Sequence, residues 1–243
     1  MRIALLSDVH GNLPALRAVL ADVDTTRVDE TWCLGDLVGY GAEPNGCVAL
    51  ARERCDLVLA GNHDLVVTGA ISISDFSDNA AAAARWTREH IDPEALEFLS
   101  GLAPTAYGRE IGLFHASPRD PIWEYVLSGW QAAECMELME PRVAAVGHSH
   151  VALWFHRNGD AEVGGSQAPA GTELDVSGGK WLLNPGGLGQ PRDGDSRAAW
   201  LLLDTERWIA EWRRVEYPID EAARAIEEAG LPPVLAERLY TGQ

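Results

Sequence analysis

The sequence has little positive charge. It contains 19 Lys and Arg residues against 37 Asp and Glu residues, which gives a formal net charge of -18 at pH 7, and Lys180 is its one lysine. Proteins that bind long nucleic acids or anionic membranes present broad basic surfaces to them. We therefore expect neither long nucleic acid nor a membrane as a partner. This charge does not exclude a small anion such as phosphate, because bound divalent cations attract it locally.

The sequence also lacks paired cysteines and long apolar runs at its start. Its four cysteines, Cys33, Cys47, Cys55 and Cys135, form no Cys-x-x-Cys pair, which favours reduced and mostly packed thiols. The apolar run before Ser7 has only four residues, too few for a signal peptide or a membrane span. We therefore expect a cytoplasmic protein.

The apolar pattern of the first 150 residues predicts an α/β fold. With 243 residues and 47% hydrophobic content, the chain is expected to form a single domain over residues 1–243. Strand-like and amphipathic helical segments alternate, which predicts right-handed crossovers and a largely parallel sheet. The predicted strands are residues 2–7, 31–35, 56–61, 110–115 and 142–147. The predicted helices are residues 12–23, 44–55, 77–91 and 128–139, with a further helix that Asp92-Pro93 opens.

After residue 150 the pattern changes to short strands joined by turns, followed by closing helices that Asp220 and Pro232 open. We expect these strands to form a second, more antiparallel sheet. They are predicted at residues 151–156, 160–164, 171–176, 180–183, 197–204 and 207–215. The predicted architecture is two mixed β-sheets packed face to face with helices on the outer faces, a four-layer α-β-β-α sandwich.

Polar residues of one kind follow the carboxyl ends of the predicted strands in the first half. Ligands of open α/β sheets bind outside these ends, so we expect the groups to converge on one crevice. A single His-x-His pair is more often a polar turn than a ligand pair, but five such exits in order indicate a site. The residues are Asp8, His10, Asp36, Asn62, His63, Asp64, His115, His148 and His150.

This donor set has a definite chemical preference. Carboxylate and amide oxygens combined with imidazole nitrogens suit first-row divalent ions such as Mn, Fe, Co, Ni or Zn better than Ca²⁺ or a thiolate site. The set holds too many groups for one metal that must keep an open position. It matches two metals with one carboxylate bridging them.

The ordered motifs Asp-x-His, Gly-Asp, Gly-Asn-His-Asp, His and Gly-His-x-His resemble those of the calcineurin-like metallophosphoesterase superfamily, and more narrowly its small bacterial and archaeal phosphodiesterase-like members. They span residues 8–150, and the later segment NPGGLGQPRDGD at residues 184–195 resembles a loop of that smaller group. The resemblance implies a dinuclear metal-dependent phosphoesterase that hydrolyses a small phosphodiester, or a related phosphate ester, by attack of a metal-bound hydroxide.

The resemblance also implies which residues hold the two divalent ions, of which Mn is most expected and Fe, Zn, Ni and Co are alternatives. Asp36 would bridge them. One ion would be held by Asp8, His10 and His150, and the other by Asn62, His115 and His148.

The same resemblance gives His63 the role of protonating the leaving oxygen or contacting the phosphate, with Asp64 orienting it. The chain departs from the protein-phosphatase branch, which carries arginines where this sequence has Tyr40 and Ala60. This sequence therefore lacks, at those places, the arginines that would form bidentate hydrogen bonds to a phosphomonoester dianion. Their absence favours phosphodiesters as substrates.

Several alternatives stay open at this point. A phosphomonoesterase or nucleotide phosphatase of the same superfamily is the main one, whereas the acidic charge disfavours a nuclease, and the filled ligand positions disfavour a non-catalytic metal-binding scaffold.

The roles of some residues near the motifs also stay open. Arg192 fits a substrate contact or a turn with satisfied charges. Residues 69–92 fit a packed helix or a lid, and Trp123 fits core packing better than base stacking. No pattern specifies an oligomeric state.

Overall fold

Strands and helices alternate along the first 150 residues, as the apolar pattern predicts. The computed structural model describes residues 1–108 and 110–243. The strands are β1 (Arg2–Leu6), β2 (Glu30–Cys33), β3 (Leu57–Val58), β4 (Thr105–Gly108), β5 (Ile111–Phe114), β6 (Val143–Val146), β7 (Leu153–Arg157), β8 (Gly164–Gln167), β9 (Glu173–Asp175), β10 (Lys180–Asn184), β11 (Ala198–Asp204) and β12 (Ile209–Val215).

The helices begin at residues that suit their amino termini. Asn12 accepts a hydrogen bond from the N–H of Ala15 at the start of α1, and Ser128 does the same for Gln131 at the start of α6. The helices are α1 (Leu13–Thr26), α2 (Pro44–Arg54), α3 (Asn62–Thr68), α4 (Asp78–His90), α5 (Pro93–Ser100), α6 (Gly129–Leu138), α7 (Ile219–Glu228) and α8 (Val234–Thr241). No helix in residues 1–108 and 110–243 has the length and apolarity that crossing a membrane requires.

The strands form two mixed six-stranded sheets. The first has the order β3-β2-β1-β11-β12-β9 and the second β4-β5-β6-β10-β7-β8. In the first sheet β1, β2 and β3 are parallel, and in the second β5 and β6 are parallel. The parallel strands of both sheets carry the motif residues at their carboxyl ends.

Alternating side chains divide the core into three layers. Leu5 of β1 and Trp32 of β2 point toward the second sheet and pack in one cluster with Leu113 and Leu183. Their sequence neighbours point outward, so the other face of the first sheet packs on helices that include α1, α7 and α8. The outer face of the second sheet packs on α6. The predicted arrangement of two face-to-face sheets with outer helices is confirmed.

The prediction that the strands after residue 150 form their own sheet is wrong. β9, β11 and β12 join the first sheet, and β7, β8 and β10 join the second. The pairing of Leu5 with Leu201 in β1 and β11 joins residues far apart along the chain. An apolar pattern marks strands but does not identify such distant partners.

Several predicted bounds also differ from the structure. The strand predicted at 160–164 lies later, at Gly164–Gln167, and the strand predicted at 56–61 contains only Leu57–Val58. Helix α3 and strand β4 have no counterpart in the prediction. Helix α3 begins at Asn62, so part of the Gly-Asn-His-Asp motif lies in the first helical turn instead of a loop.

Candidate metal centre

The motif residues meet at one end of the sandwich, where the parallel strands of the two sheets finish. Asp8 and His10 follow β1, Asp36 follows β2, His115 follows β5, and the His-x-His pair follows β6. All of the expected ligand residues are buried: Asp8, His10, Asp36, Asn62, His115, His148 and His150. The structure brings together the groups that the strand exits predict.

The backbone at these exits has an unusual conformation. Nine described non-glycine residues have a positive φ, and five of them are candidate ligands: Asp8, His10, Asp36, His148 and His150. The left-handed region is costly for L-residues, although Asp and His tolerate it better than most. Such strain persists where surrounding structure enforces it and is concentrated at functional sites. Here it turns the side chains that follow each strand into the crevice.

Each of the four candidate imidazole ligands has one nitrogen bonded to a main-chain carbonyl. Nδ1 of His10 lies 3.0 Å from the Val38 oxygen, and Nδ1 of His115 lies 2.9 Å from the Leu34 oxygen. A carbonyl can only accept, so the proton is on the bonded nitrogen and the other nitrogen has a free lone pair.

The His-x-His pair follows the same rule with opposite nitrogens. Nδ1 of His150 donates to the Gln190 oxygen at 2.6 Å, whereas His148 donates from Nε2 to the Trp123 oxygen at 3.2 Å. His150 therefore offers Nε2 to the crevice, and His148 offers Nδ1. Carbonyl partners of this kind orient imidazoles that bind metal ions.

The side-chain atoms that could bind a metal ion form two groups that share Asp36. One ligand atom from each of Asp8, His10, Asp36 and His150 lies within 4.8 Å of the others. Asp36, His115 and His148 meet the same criterion, and Nε2 of His115 lies 3.1 Å from Oδ1 of Asn62. These groups match the two expected ligand sets, with Asp36 between them.

The Asp36 carboxylate indicates that these residues fit a cation. Its Oδ1 accepts a hydrogen bond from the N–H of His63, but its buried Oδ2 accepts none within the described part of the chain. Oδ2 lies 3.4 Å from Nε2 of His10 and 3.6 Å from Nε2 of His115, both of which are lone-pair atoms. Divalent transition-metal ions bind this combination of carboxylate oxygen and neutral imidazole nitrogen.

Burial shifts the pKa values of these groups so that their neutral forms are favoured. It raises the pKa of Asp8 to about 7 and raises the pKa of Asp36 well above its usual range. It lowers the pKa of His10, His148 and His150 well below the usual value. Without a compensating charge, burial therefore favours neutral forms, and neutral imidazole is the form that binds metals.

His63 lies beside this cluster, and Asp64 contacts the backbone around it. The His63 ring packs 4.8 Å from the His10 ring, and its Nδ1 has no hydrogen-bond partner among the described residues. The Asp64 carboxylate accepts from the N–H groups of Val38 and Gly61 at 3.2 and 2.9 Å. Asp64 therefore fixes two backbone segments near His63.

A cleft of about 200 Å³ opens from the cluster to solvent. His63, His148 and His150 form its inner part, and Tyr40 and Arg192 line its side. The Arg192 guanidinium lies 5.5 Å from the centre of the Tyr40 ring, and its Nε is buried without a hydrogen-bond partner in the described chain. Arg192 is the one Lys or Arg among the described residues that line this cleft.

Three aromatic side chains also line the cleft, and their positions have only weak signals in the sequence. Phe76, Trp123 and Tyr125 line its outer part. The sequence favours core packing for Trp123, and the main-chain carbonyls that bond the imidazoles cannot be recognised from side-chain identity. The segment considered as a lid borders the cleft through Phe76, Ser77 and Ala80.

The chain is similar to known proteins over nearly its whole length. A family model described as the calcineurin-like phosphoesterase superfamily domain matches residues 1–207. An uncharacterized protein from Methanocaldococcus jannaschii is 37% identical over 246 aligned residues, which cover 99% of this chain and 98% of the relative. Both matches extend over the residues that form the ligand cluster, Asp8 to His150.

Two solved structures show the same architecture. The crystal structure of a metallophosphoesterase from Sphaerobacter thermophilus is 39% identical, covers 100% of this chain and 99% of that chain, and has a TM-score of 0.90. The structure of a hypothetical protein from Pyrococcus horikoshii is 19% identical, covers 100% of this chain and 98% of that chain, and has a TM-score of 0.81. The second likeness shows the fold alone.

Proposed function

Since the chain belongs to the calcineurin-like phosphoesterase superfamily, we propose that it is a metal-dependent hydrolase that acts on small phosphodiesters. The observation that carries the proposal is the convergence of unprotonated imidazole nitrogens on the unpaired Oδ2 of Asp36. Asp8, His10 and His150 would hold one divalent ion, Asn62, His115 and His148 would hold the other, and Asp36 would contact both.

The proposed cofactors are two Mn²⁺ ions, with Fe, Zn, Ni or Co as alternatives that fit the same mixed donor set. When bound, such a pair supplies positive charge to the phosphate oxygens and lowers the pKa of water into the neutral range. The buried, carbonyl-bonded imidazoles orient the ligand atoms, so little reorganisation accompanies metal binding.

His63 and Arg192 have separate proposed roles toward the substrate. His63 lines the cleft beside the cluster and would donate a proton to the leaving oxygen. Arg192 would bind a non-bridging phosphate oxygen through its unpaired guanidinium N–H.

The size and charge of the cleft support a small monoanionic substrate. Its volume of about 200 Å³ is smaller than the roughly 300–1,000 Å³ of typical drug-sized ligand pockets. Arg192 is the single cation in the described lining, and Asp75 adds negative charge. A phosphodiester carries one negative charge, so it needs less compensation than a monoester dianion. The acidic chain as a whole also disfavours long nucleic acid.

Hydrolysis of two matched esters tests the proposal. Protein stripped with a chelator is assayed before and after addition of Mn²⁺, with bis(p-nitrophenyl) phosphate and with p-nitrophenyl phosphate. We expect Mn²⁺ to restore hydrolysis and the diester to be cleaved with the higher kcat/KM. Higher kcat/KM for the monoester would favour the phosphomonoesterase alternative. Failure to cleave either ester, with metal occupancy demonstrated, would contradict the proposed activity.

A further inference from the structure

Three aromatic side chains from two separate segments meet at the outer part of the cleft. Phe76 precedes α4, whereas Trp123 and Tyr125 lie between β5 and α6. The Phe76 and Trp123 rings meet edge to face, with centroids 5.9 Å apart and an interplanar angle of 85°. We call these three residues the aromatic rim. Core packing accounts for the rim only in part: Phe76 packs against the edge of the core beside the helices, whereas Trp123 is half-buried and Tyr125 is 42% exposed.

The aromatic rim is directly connected to the proposed catalytic groups. The Tyr125 ring stacks on the His148 imidazole, with centroids 4.2 Å apart and an angle of 17°. The Phe76 ring packs 4.5 Å from the His63 ring. The main-chain oxygen of Trp123 accepts the hydrogen bond from His148. The rim therefore lies where the organic substituent of a phosphate bound at the ligand cluster would project from the cleft toward solvent.

Local hydrogen bonds hold the segment that carries Trp123 and Tyr125. Oδ1 of Asp120 accepts from the N–H groups of Ile122 and Trp123 at 3.0 and 3.1 Å. The Ser117 hydroxyl donates to Oε2 of Glu124 at 2.5 Å. Because these contacts fix the backbone around both rings, the rim is organised before a ligand arrives, which reduces the entropic cost of binding.

We propose that the aromatic rim is a subsite for a planar aromatic substituent of the phosphate ester, as in a nucleoside or an aryl ester. Exposed aromatic faces next to a phosphate site stack on flat rings without requiring a particular hydrogen-bond pattern. The inference rests on the proposed hydrolase function, since it assumes that the phosphate binds at the metal-ligand cluster. It adds the class of substituent that the enzyme selects.

Binding of two matched phosphonates tests the subsite without depending on turnover. Phenylphosphonate and cyclohexylphosphonate, both used as their monomethyl esters so that each carries one negative charge like a phosphodiester, are similar in size, but only the phenyl group is planar and aromatic. Their affinities for the Mn²⁺-loaded protein are measured by isothermal titration calorimetry. We expect phenylphosphonate to bind roughly tenfold more tightly, the order of magnitude that stacking of one ring on an aromatic side chain supplies.

The variant Tyr125→Leu keeps an apolar side chain but removes the ring. We expect it to lose most of the preference for phenylphosphonate while its affinity for cyclohexylphosphonate changes little. Tyr107→Leu is the matched control, because Tyr107 is 62% exposed and lies in β4, outside the cleft lining. This control should keep the wild-type preference.

An adenosine phosphonate with a carbon–phosphorus bond distinguishes the two sources of an aromatic ring. Affinity equal to or above that of phenylphosphonate would identify nucleosides as the substituent, and weaker affinity would identify aryl esters. Both results support the subsite, provided that Tyr125→Leu reduces binding.

Equal binding of phenylphosphonate and cyclohexylphosphonate by the wild-type protein would overturn the subsite. If diester hydrolysis were intact in that case, the proposed function would stand alone. If neither phosphonate bound the metal-loaded protein and neither nitrophenyl ester were cleaved, the proposed function itself would be contradicted.

Discussion

Nε2 of His10 lies 3.1 Å from Nε2 of His150, and the Nδ1 atom of each ring donates to a main-chain carbonyl. Two lone pairs therefore face each other at close range, with the Asp8 and Asp36 carboxylates nearby. Such an arrangement is unfavourable without a neighbouring positive charge and favourable around a cation. The fold therefore holds His10 and His150 in positions where a bound cation would relieve the repulsion between their lone pairs.

Metal binding at this pair predicts a gain in stability. A ligand at a thousand times its Kd stabilises the folded state by about 4 kcal/mol, so Mn²⁺ should raise the Tm of chelator-treated protein by several degrees. The variant His10→Ala should lose most of this gain, as measured by thermal denaturation with and without Mn²⁺. His90→Ala is the control, since His90 is an exposed residue at the end of α4. Equal gains in both variants would show that the stabilising ion binds elsewhere.

Replacement of His63 should slow hydrolysis without removing metal. A positioned proton donor typically contributes about 10²–10⁴-fold to the rate, so His63→Ala should lower kcat within that range while the metal content stays at the wild-type level. The loss should be larger for a phenolate than for a p-nitrophenolate leaving group, because phenolate needs protonation more. Steady-state kinetics on both diesters checks this, and an equal loss for both would argue against proton donation by His63.

Replacement of Arg192 should mainly weaken substrate binding. A hydrogen bond to a charged group contributes about 1.5–3 kcal/mol, which corresponds to a fall of about 10- to 150-fold in kcat/KM for Arg192→Met. Kinetics on the diester should show most of this change in KM. Arg54→Met serves as the control, because Arg54 forms an ion pair with Asp24 on the surface. An unchanged kcat/KM in Arg192→Met would remove Arg192 from the substrate site.

A pair of glycine substitutions separates backbone strain from displacement of His63. Gly39 and Gly69 have φ values of +87° and +81°, so alanine at either position costs about 1–2 kcal/mol of stability. A Cβ at Gly39 would overlap Nδ1 of His63, whereas a Cβ at Gly69 would meet nothing within 4 Å.

Both glycine variants should therefore show a lower Tm, but only Gly39→Ala should also show a strongly reduced kcat. Thermal denaturation and diester kinetics on the same preparations check the comparison. Wild-type kcat in Gly39→Ala would mean that the His63 ring position does not limit the reaction.

The strand exits were predictable because they depend on local chemistry. An apolar run followed by Asp-x-His or Gly-His-x-His indicates both a strand and the polar side chains at its carboxyl end. Parallel strands bring such side chains to one edge of the sheet. The assignment of β9, β11 and β12 to the first sheet was not predictable, since their partners lie far away in the chain. Helix α3 escaped prediction because its seven residues are too few to show a helical period.

The surroundings of the cluster were less accessible from sequence than its ligands. Carbonyl groups of Val38, Leu34, Gln190 and Trp123 orient the imidazoles, but every residue has a carbonyl, so side-chain identity carries no signal. The position of Arg192 depends on the fold of the loop before β11, whose Leu188 and Gly189 bond back to the β1 exit. Only the folded chain places that arginine beside the cluster.

The number of metal ions per chain tests the account most directly. Protein stripped with a chelator, reloaded with Mn²⁺ and freed of excess metal is analysed by plasma mass spectrometry, alongside Asp36→Asn. We predict two ions per wild-type chain, and fewer than one in Asp36→Asn together with loss of nearly all turnover, because Asp36 lies between both groups of ligand atoms. Two tightly bound ions in Asp36→Asn, or none in the wild-type protein, would contradict a dinuclear centre at these residues.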